Sequence, residues 1–376
     1  MMLKPLNWIL KKVNVNDATK VLLGDSTKTS TESCRRNDDD EDAIAIADSE
    51  IIANADAIDD ADANATDADD NDDITDEMGR TELHIKVDKM TRLDQQTIIF
   101  IKCLLTSTNA HVQDVHGQTP AHIFLKNISS GKIQRQYNWF SRESRSSFLA
   151  HVRDMLKSLA NKNNMNVVDS DGNCLLHYAL MGTDVDFETI SMLAFQSNMD
   201  IRNKKGQTAL HIHISEYECS TDIVNLLRTP RNVNMQDEQG CLPIHIAFDH
   251  QNVKNVLTDS TFRYLISHSN KDIQDSKGRT PLHACFWNYT YQKCNELKQT
   301  YLLSPLISSK NLDMTDEQGR TPLHWYLIQS YVQAISKEIL SMLATRRNIV
   351  IVDKDGNTPA HVSLSHHFTF SQLFIL

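Results

Sequence analysis

Only eleven glycines occur in the 376 residues, and none stands in a GxxxxGK[ST] or GxGxxG arrangement. Phosphate-cradling loops are thereby excluded, because they need closely spaced glycines to bring backbone N–H groups onto the anion. No GxSxG elbow offers the usual seat of a nucleophilic serine. The seven cysteines are dispersed without a CxxC pair or regular spacing, which argues against a disulfide framework or zinc module and suits a reducing compartment. No apolar run approaches eighteen residues, so no membrane span is expected. The short apolar run at 7–10, within MMLKPLNWILKKV, is too short for the core of a secretory signal. The sequons at Asn64, Asn127 and Asn288 are accordingly read as chance matches.

Basic residues are missing from one whole stretch. Between Asp38 and Asp73 there are sixteen Asp or Glu and no Lys or Arg, so this stretch carries -16 of a net -11 and the rest of the chain +5. The protein reads as a mildly basic body with an acidic arm. Residues 20–73, rich in Ser, Thr, Asp and Ala, are expected to be disordered. Ile44, Ile46, Ile51, Ile52 and Ile58 interrupt its polarity, leaving two readings open: a segment that folds on a partner, or a solubilising tail.

What the chain does have is one motif repeated eight times: GRTELH (79–84), GQTPAH (117–122), GNCLLH (172–177), GQTALH (206–211), GCLPIH (240–245), GRTPLH (278–283), GRTPLH (319–324) and GNTPAH (356–361). Successive motif histidines lie 38, 55, 34, 34, 38, 41 and 37 residues apart. Polar residues with an Asp precede most of these glycines, as in VNMQDEQG and DIQDSKG, which is the chemistry of a tight turn closed by a positive-φ glycine. Thr then sits at a helix N-cap, with Pro at the first helical position. A second stretch with helical spacing follows, such as FLAHVRDMLKSLA (148–160) or TDIVNLL (221–227). Each unit reads as hairpin, helix, loop, helix. Such a pair must stack on neighbours to bury its apolar face.

Gly-x-Thr-Pro-Leu-His at this period resembles the ankyrin repeat, over roughly residues 74–376. The expectation is an all-α repeat solenoid, an ankyrin-type stack of about eight helix-loop-helix units with hairpin tips, in three parts: a leader at 1–19 that is docked as one helical turn or disordered, a disordered acidic arm at 20–73, and repeats at 74–376 with the last unit incomplete. The resemblance implies that His84, His122, His177, His211, His245, His283, His324 and His361 are structural, bonding between neighbouring units. It also implies a concave wall from first-helix segments such as 85–89, 212–216, 246–250, 284–288 and 325–329. Two departures from the family pattern predict irregular packing. Lys86, Phe124, His213 and Tyr326 stand where a small residue is usual, and no Gly separates the two helices.

Trp287, Trp325 and Tyr326 are candidate anchors for a partner on that wall. Trp139 and Phe140 belong to a basic aromatic insertion at 127–147, read as a protein-binding loop or a bland insertion, with nucleic acid the weaker alternative. The end, with Phe368, Phe370, Leu373, Phe374, Ile375 and Leu376, lacks the polar outer face of a closing unit, which suggests a covering partner, self-association or truncation. No catalytic, cofactor or metal site is expected. The function expected is a non-enzymatic, intracellular protein-interaction scaffold that binds its partner through the concave face and the hairpin tips. Alternatives are an inhibitor or co-regulator of a transcription factor, as in the ankyrin inhibitors of Rel-type factors, or an effector acting in a host cell.

Overall fold

The computed structural model describes residues 75–133, 142–182, 185–216, 219–249, 259–267, 270–287, 296–329 and 336–365. The leader, the acidic arm, Trp139, Phe140 and the apolar end lie outside them.

Among the described residues there are fifteen α-helices and no strand. They come as seven pairs and one final helix: α1 (Glu82–Asp88) with α2 (Gln95–Leu104), α3 (Pro120–Ser129) with α4 (Arg142–Leu159), α5 (Leu175–Leu180) with α6 (Phe187–Leu193), α7 (Ala209–Ser215) with α8 (Thr221–Leu227), α9 (Pro243–Asp249) with α10 (Asp259–Leu265), α11 (Pro281–Trp287) with α12 (Glu296–Leu306), α13 (Pro322–Gln329) with α14 (Lys337–Leu343), and α15 (Pro359–Ser365). First helices pack on first helices in order from α1 to α15, and second helices form a parallel row. One apolar core runs through the stack, from Leu83 and Val87 through Phe124, Leu176, Leu210 and Phe286 to Leu343.

Sequence spacing shows which parts the stack cannot vary. The Leu closing each second helix (Leu104, Leu159, Leu193, Leu227, Leu265, Leu306, Leu343) always lies ten residues before an Asp or Asn of the next hairpin, and that residue always eight before the motif His. All variation in repeat length falls between the His and the Leu. Midway between this Leu and the hairpin Asp or Asn stands a buried Asn: Asn109, Asn164, Asn198, Asn232, Asn270, Asn311 or Asn348. Each amide donates to the carbonyl of the Leu five residues earlier, for example Asn232 to Leu227 at 2.8 Å. Carbonyls at a helix end have no partner within the helix, so the Asn supplies one. Five of the seven also reach the preceding unit, as Asn348 does to the Leu312 carbonyl at 3.0 Å.

Candidate functional site

Each hairpin is a three-residue loop. In the fifth unit Gly240 N–H donates to the Asp237 carbonyl at 3.0 Å and Asp237 N–H to the Cys241 carbonyl at 2.9 Å. The Asp237 carboxylate accepts from the N–H groups of Gln239 and Cys241, and Gly240 closes the turn at φ 71°. Consecutive hairpins are joined through their backbones. The N–H of the first tip residue donates to the carbonyl of the second tip residue one unit back, seven times over: Val115 to Met78, Ser170 to His116, Lys204 to Asp171, Glu238 to Lys205, Ser276 to Gln239, Glu317 to Lys277 and Lys354 to Gln318, at 2.6 to 2.9 Å. With Glu77 at the start and Asp355 at the end, the row carries eight pairs of side chains, all exposed. In its first two units one residue of each tip pair is aliphatic, Met78 beside Glu77 and Val115 beside His116, with Met78 41% and Val115 58% exposed.

The histidines fasten the row to the helices. In six of the eight motifs a Thr hydroxyl lies 2.7 to 2.9 Å from His Nδ1. The Thr backbone N–H donates to the same nitrogen, as in Thr321 to His324 at 3.0 Å. An N–H cannot accept, so Nδ1 is bare and the proton sits on Nε2. That Nε2–H donates to a carbonyl of the next unit: His84 to Gln118, His177 to Gln207, His245 to Arg279, His283 to Arg320 and His324 to Asn357, at 2.9 to 3.1 Å. His211 shares its proton between Met235 and Cys241. At His122, which precedes the longest insertion, Nε2 makes no such well-formed hydrogen bond among the described residues. Burial holds His122, His211 and His283 down to about 4, and lowers His84, His177 and His324. The neutral imidazole is therefore the working form.

Helix pair, turn-closing glycine and histidine bridge recur from unit to unit. The fold is an ankyrin-type stack. No family model and no curated protein matches the chain. Among solved structures it is similar to one described as the ankyrin repeat domain of Bcl-3, a unique member of the IkappaB protein family, at 17% identity and a TM-score of 0.43, covering 69% of this chain and 98% of that one. So distant a likeness adds nothing about what the chain binds.

The expected wall of first helices is mostly core. Ile212, His213, Ile214, Ala284, Cys285, Phe286, Trp325, Tyr326 and Leu327 are all buried, because bulky residues replace the small ones and fill the space between the helix rows. Among the described residues of the first helices and their caps, solvent reaches Glu82 at the start of α1 and Lys89, Lys126 and Met181 in the C-terminal halves or caps. Trp325 and Tyr326 are each 6% exposed, which leaves little ring surface for a partner. Trp325 Nε1 donates to the hairpin carboxylate of Asp316 at 2.7 Å, and the Tyr326 hydroxyl accepts from Ser336 N–H at 2.9 Å. Tyr178 and His213 make the equivalent contacts in other units, to Asp169 and to Ser220 N–H. The backbone of Trp287 ends α11, while its side chain, like Trp139 and Phe140, lies outside the description.

One pair looks like chemistry and is not arranged for it. Cys174 Sγ lies 3.0 Å from His177 Nδ1, but Cys174 takes the cap seat filled elsewhere by Thr. It is fully buried, and burial pushes its thiol up, the opposite of an activated thiolate. Among the described residues no group of three or more His, Cys, Asp or Glu converges as a metal site, and no helix is long and apolar enough to cross a membrane.

The motif reading names the hairpin tips as a surface but not the residues they carry, and it misses the asparagine row. The asparagines are visible in the sequence as Leu-x4-Asn-x4-Asp/Asn, seven times. The tips carry no such signal, since any side chain suits a solvent-facing turn.

Proposed function

We propose that the chain is a non-enzymatic scaffold that holds a protein partner along its hairpin tips and the open ends of its first helices. The observation that carries this reading is the tip row: eight exposed side-chain pairs on a backbone fixed by seven cross-unit hydrogen bonds. Such a row is ordered before any partner arrives, so association costs little backbone entropy. Met78 and Val115 begin the contact. At positions where the fold accepts any residue, two neighbouring tips present aliphatic side chains to water, and exposed apolar surface of that kind marks contact sites.

The test is affinity capture with the full chain and with a Met78→Asp/Val115→Asp variant. The variant is expected to keep its melting temperature and lose the retained proteins. Retention of the same proteins by the variant would remove the tips from the interface. A wild-type chain that retains none would remove the scaffold reading itself.

A further inference from the structure

The outward edge of the first unit differs from the same edge of the units after it. Counted back from the closing Leu, the fifth residue of a second helix turns toward the unit before. Asp154 accepts there from Lys102 at 2.8 Å, Glu188 meets Arg153 at 3.2 Å, and the Tyr301 hydroxyl accepts from Arg263 at 2.6 Å. Asp222 and Glu338 hold the same place in two further units. The fourth residue back lies beside it and is buried at Met155, Thr189, Ile223 and Ile339.

In the first unit these two places are taken by Ile99 and Phe100, and no described unit precedes them. Ile99 is 52% and Phe100 49% exposed. Cys103 follows them by one helical turn on α2, shares their face and is exposed too. Lys86 Nζ stands 5.6 Å from the centre of the Phe100 ring, so one rim of the patch is cationic. The end of a repeat array that is left to solvent needs a polar face. Here an aliphatic side chain stands where the later units carry Asp, Glu or Tyr.

We propose that the leader of this same chain covers the patch, laying Leu6, Ile9, Leu10 and Val13 against Ile99, Phe100 and Cys103. Those four leader residues recur at the intervals of one helix face, and Lys4, Lys11 and Lys12 fall off it. The segment can thus turn an apolar side to the stack and a charged side to water. The isoleucines of the acidic arm fit less well, because they stand among carboxylates that burial would penalise. The described stack begins at Thr75, on this same first unit, so residues 14–74 tether the leader to the patch. A flexible chain of that length spans about 40–47 Å, which holds the leader at a local concentration on the order of millimolar. Two large side chains make too small a patch for a second copy, since a stable interface buries about 1,200 Å² or more. A tethered segment needs far less. The apolar stretch at 368–376 belongs to the other end of the row, seven helix-packing steps from α1. At about 8–10 Å a step, that is beyond the roughly 40 Å that residues 366–376 span when fully extended.

Cys103 is the probe. Full-length protein is treated with iodoacetamide, and the rate at which Cys103 is alkylated is read from its peptide by mass spectrometry. Leu6→Ser/Ile9→Ser/Leu10→Ser is expected to raise that rate at least fivefold at an unchanged melting temperature, and Ile99→Ser/Phe100→Ser to raise it by a similar factor. Met78→Asp/Val115→Asp should leave the rate as it is, because the patch is separate from the tips. Should Ile99→Ser/Phe100→Ser melt early, the leader variant decides alone, since its substitutions lie outside the stack. Equal rates in the parent and the leader variant overturn the proposal. So does a parent rate that falls as the protein is concentrated, which would assign the patch to a second copy.

Discussion

His245 Nε2 lies 2.9 Å from the carbonyl oxygen of Arg279, thirty-four residues further along the chain. A carbonyl only accepts, so the bond requires a proton on Nε2. On the other side of the ring Nδ1 accepts from Leu242 N–H at 3.1 Å and must stay bare. A second proton would break the local cap and place a charge in the core.

Acid is therefore expected to unfold the stack early. His122, His211, His213 and His283 are held down to about 4 by burial, against about 6.5 in an unfolded chain. Because the folded values are lowered, the unfolded chain binds more protons between these limits. Stability is full above pH 6.5 and is lost as the pH falls toward 4, at up to about 1.4 kcal/mol per pH unit for each histidine. Urea midpoints at pH 7.5 and pH 5 check this, and equal midpoints would contradict it.

Asn232 is fully buried, donates to the carbonyls of Leu227 and Met199, and accepts from Thr229 N–H. Asn232→Ala strands these groups in the core and should cost about 3 kcal/mol. Asn→Ala at any other position of the row that bridges two units should cost a similar amount, with Asn198, whose amide bonds only the Leu193 carbonyl among the described residues, costing less. Equilibrium urea denaturation of the variants reads the difference.

Gly240 and Gly356 have nearly the same backbone, at φ 71° and 79°, but not the same surroundings. A Cβ on Gly240 would stand 2.8 Å from the backbone nitrogen of Ser276, whereas one on Gly356 would meet nothing within 4 Å. Gly356→Ala should cost only the left-handed backbone, about 1–2 kcal/mol. Gly240→Ala should cost more, since it also pushes apart two linked tips. Equal losses in thermal stability would show that the tip bonds matter less than their regularity suggests.

Trp325→Phe tests whether this ring serves the fold. It removes the bond to Asp316 at 2.7 Å and leaves a buried carboxylate oxygen short of a donor, at a cost of about 1–3 kcal/mol. A variant as stable as the parent, but poorer at retaining proteins, would restore Trp325 to the interface.

Much of this architecture is legible in the sequence because its fixings are chemically restrictive. A positive-φ hairpin position wants glycine, and a side chain that caps its own helix and reaches the next unit wants histidine, so GxTPLH marks both. The asparagine row is equally restrictive, but its residues lie outside that motif and appear only once the Leu, Asn and Asp are aligned together. Burial of the first helices was not legible, because whether Trp325 or His213 faces solvent depends on the side chains of the units on either side. The tips were legible as a surface, but not which of their side chains matter, as a turn exposed to water imposes nothing on the residue it carries.

Among the described residues, the constant eighteen residues from the closing Leu to the motif His hold the hydrogen bonds that pass between loops, between tips and from the motif histidines to the next unit, and the described parts of the inter-helix connections hold none of these three kinds. The chain can thus be lengthened inside a unit without shifting the registration of its neighbours. That makes the inter-helix connections natural splice points: a foreign loop or small domain grafted at 183–184 or 217–218 would be carried by the stack as cargo, with the seams between units left intact.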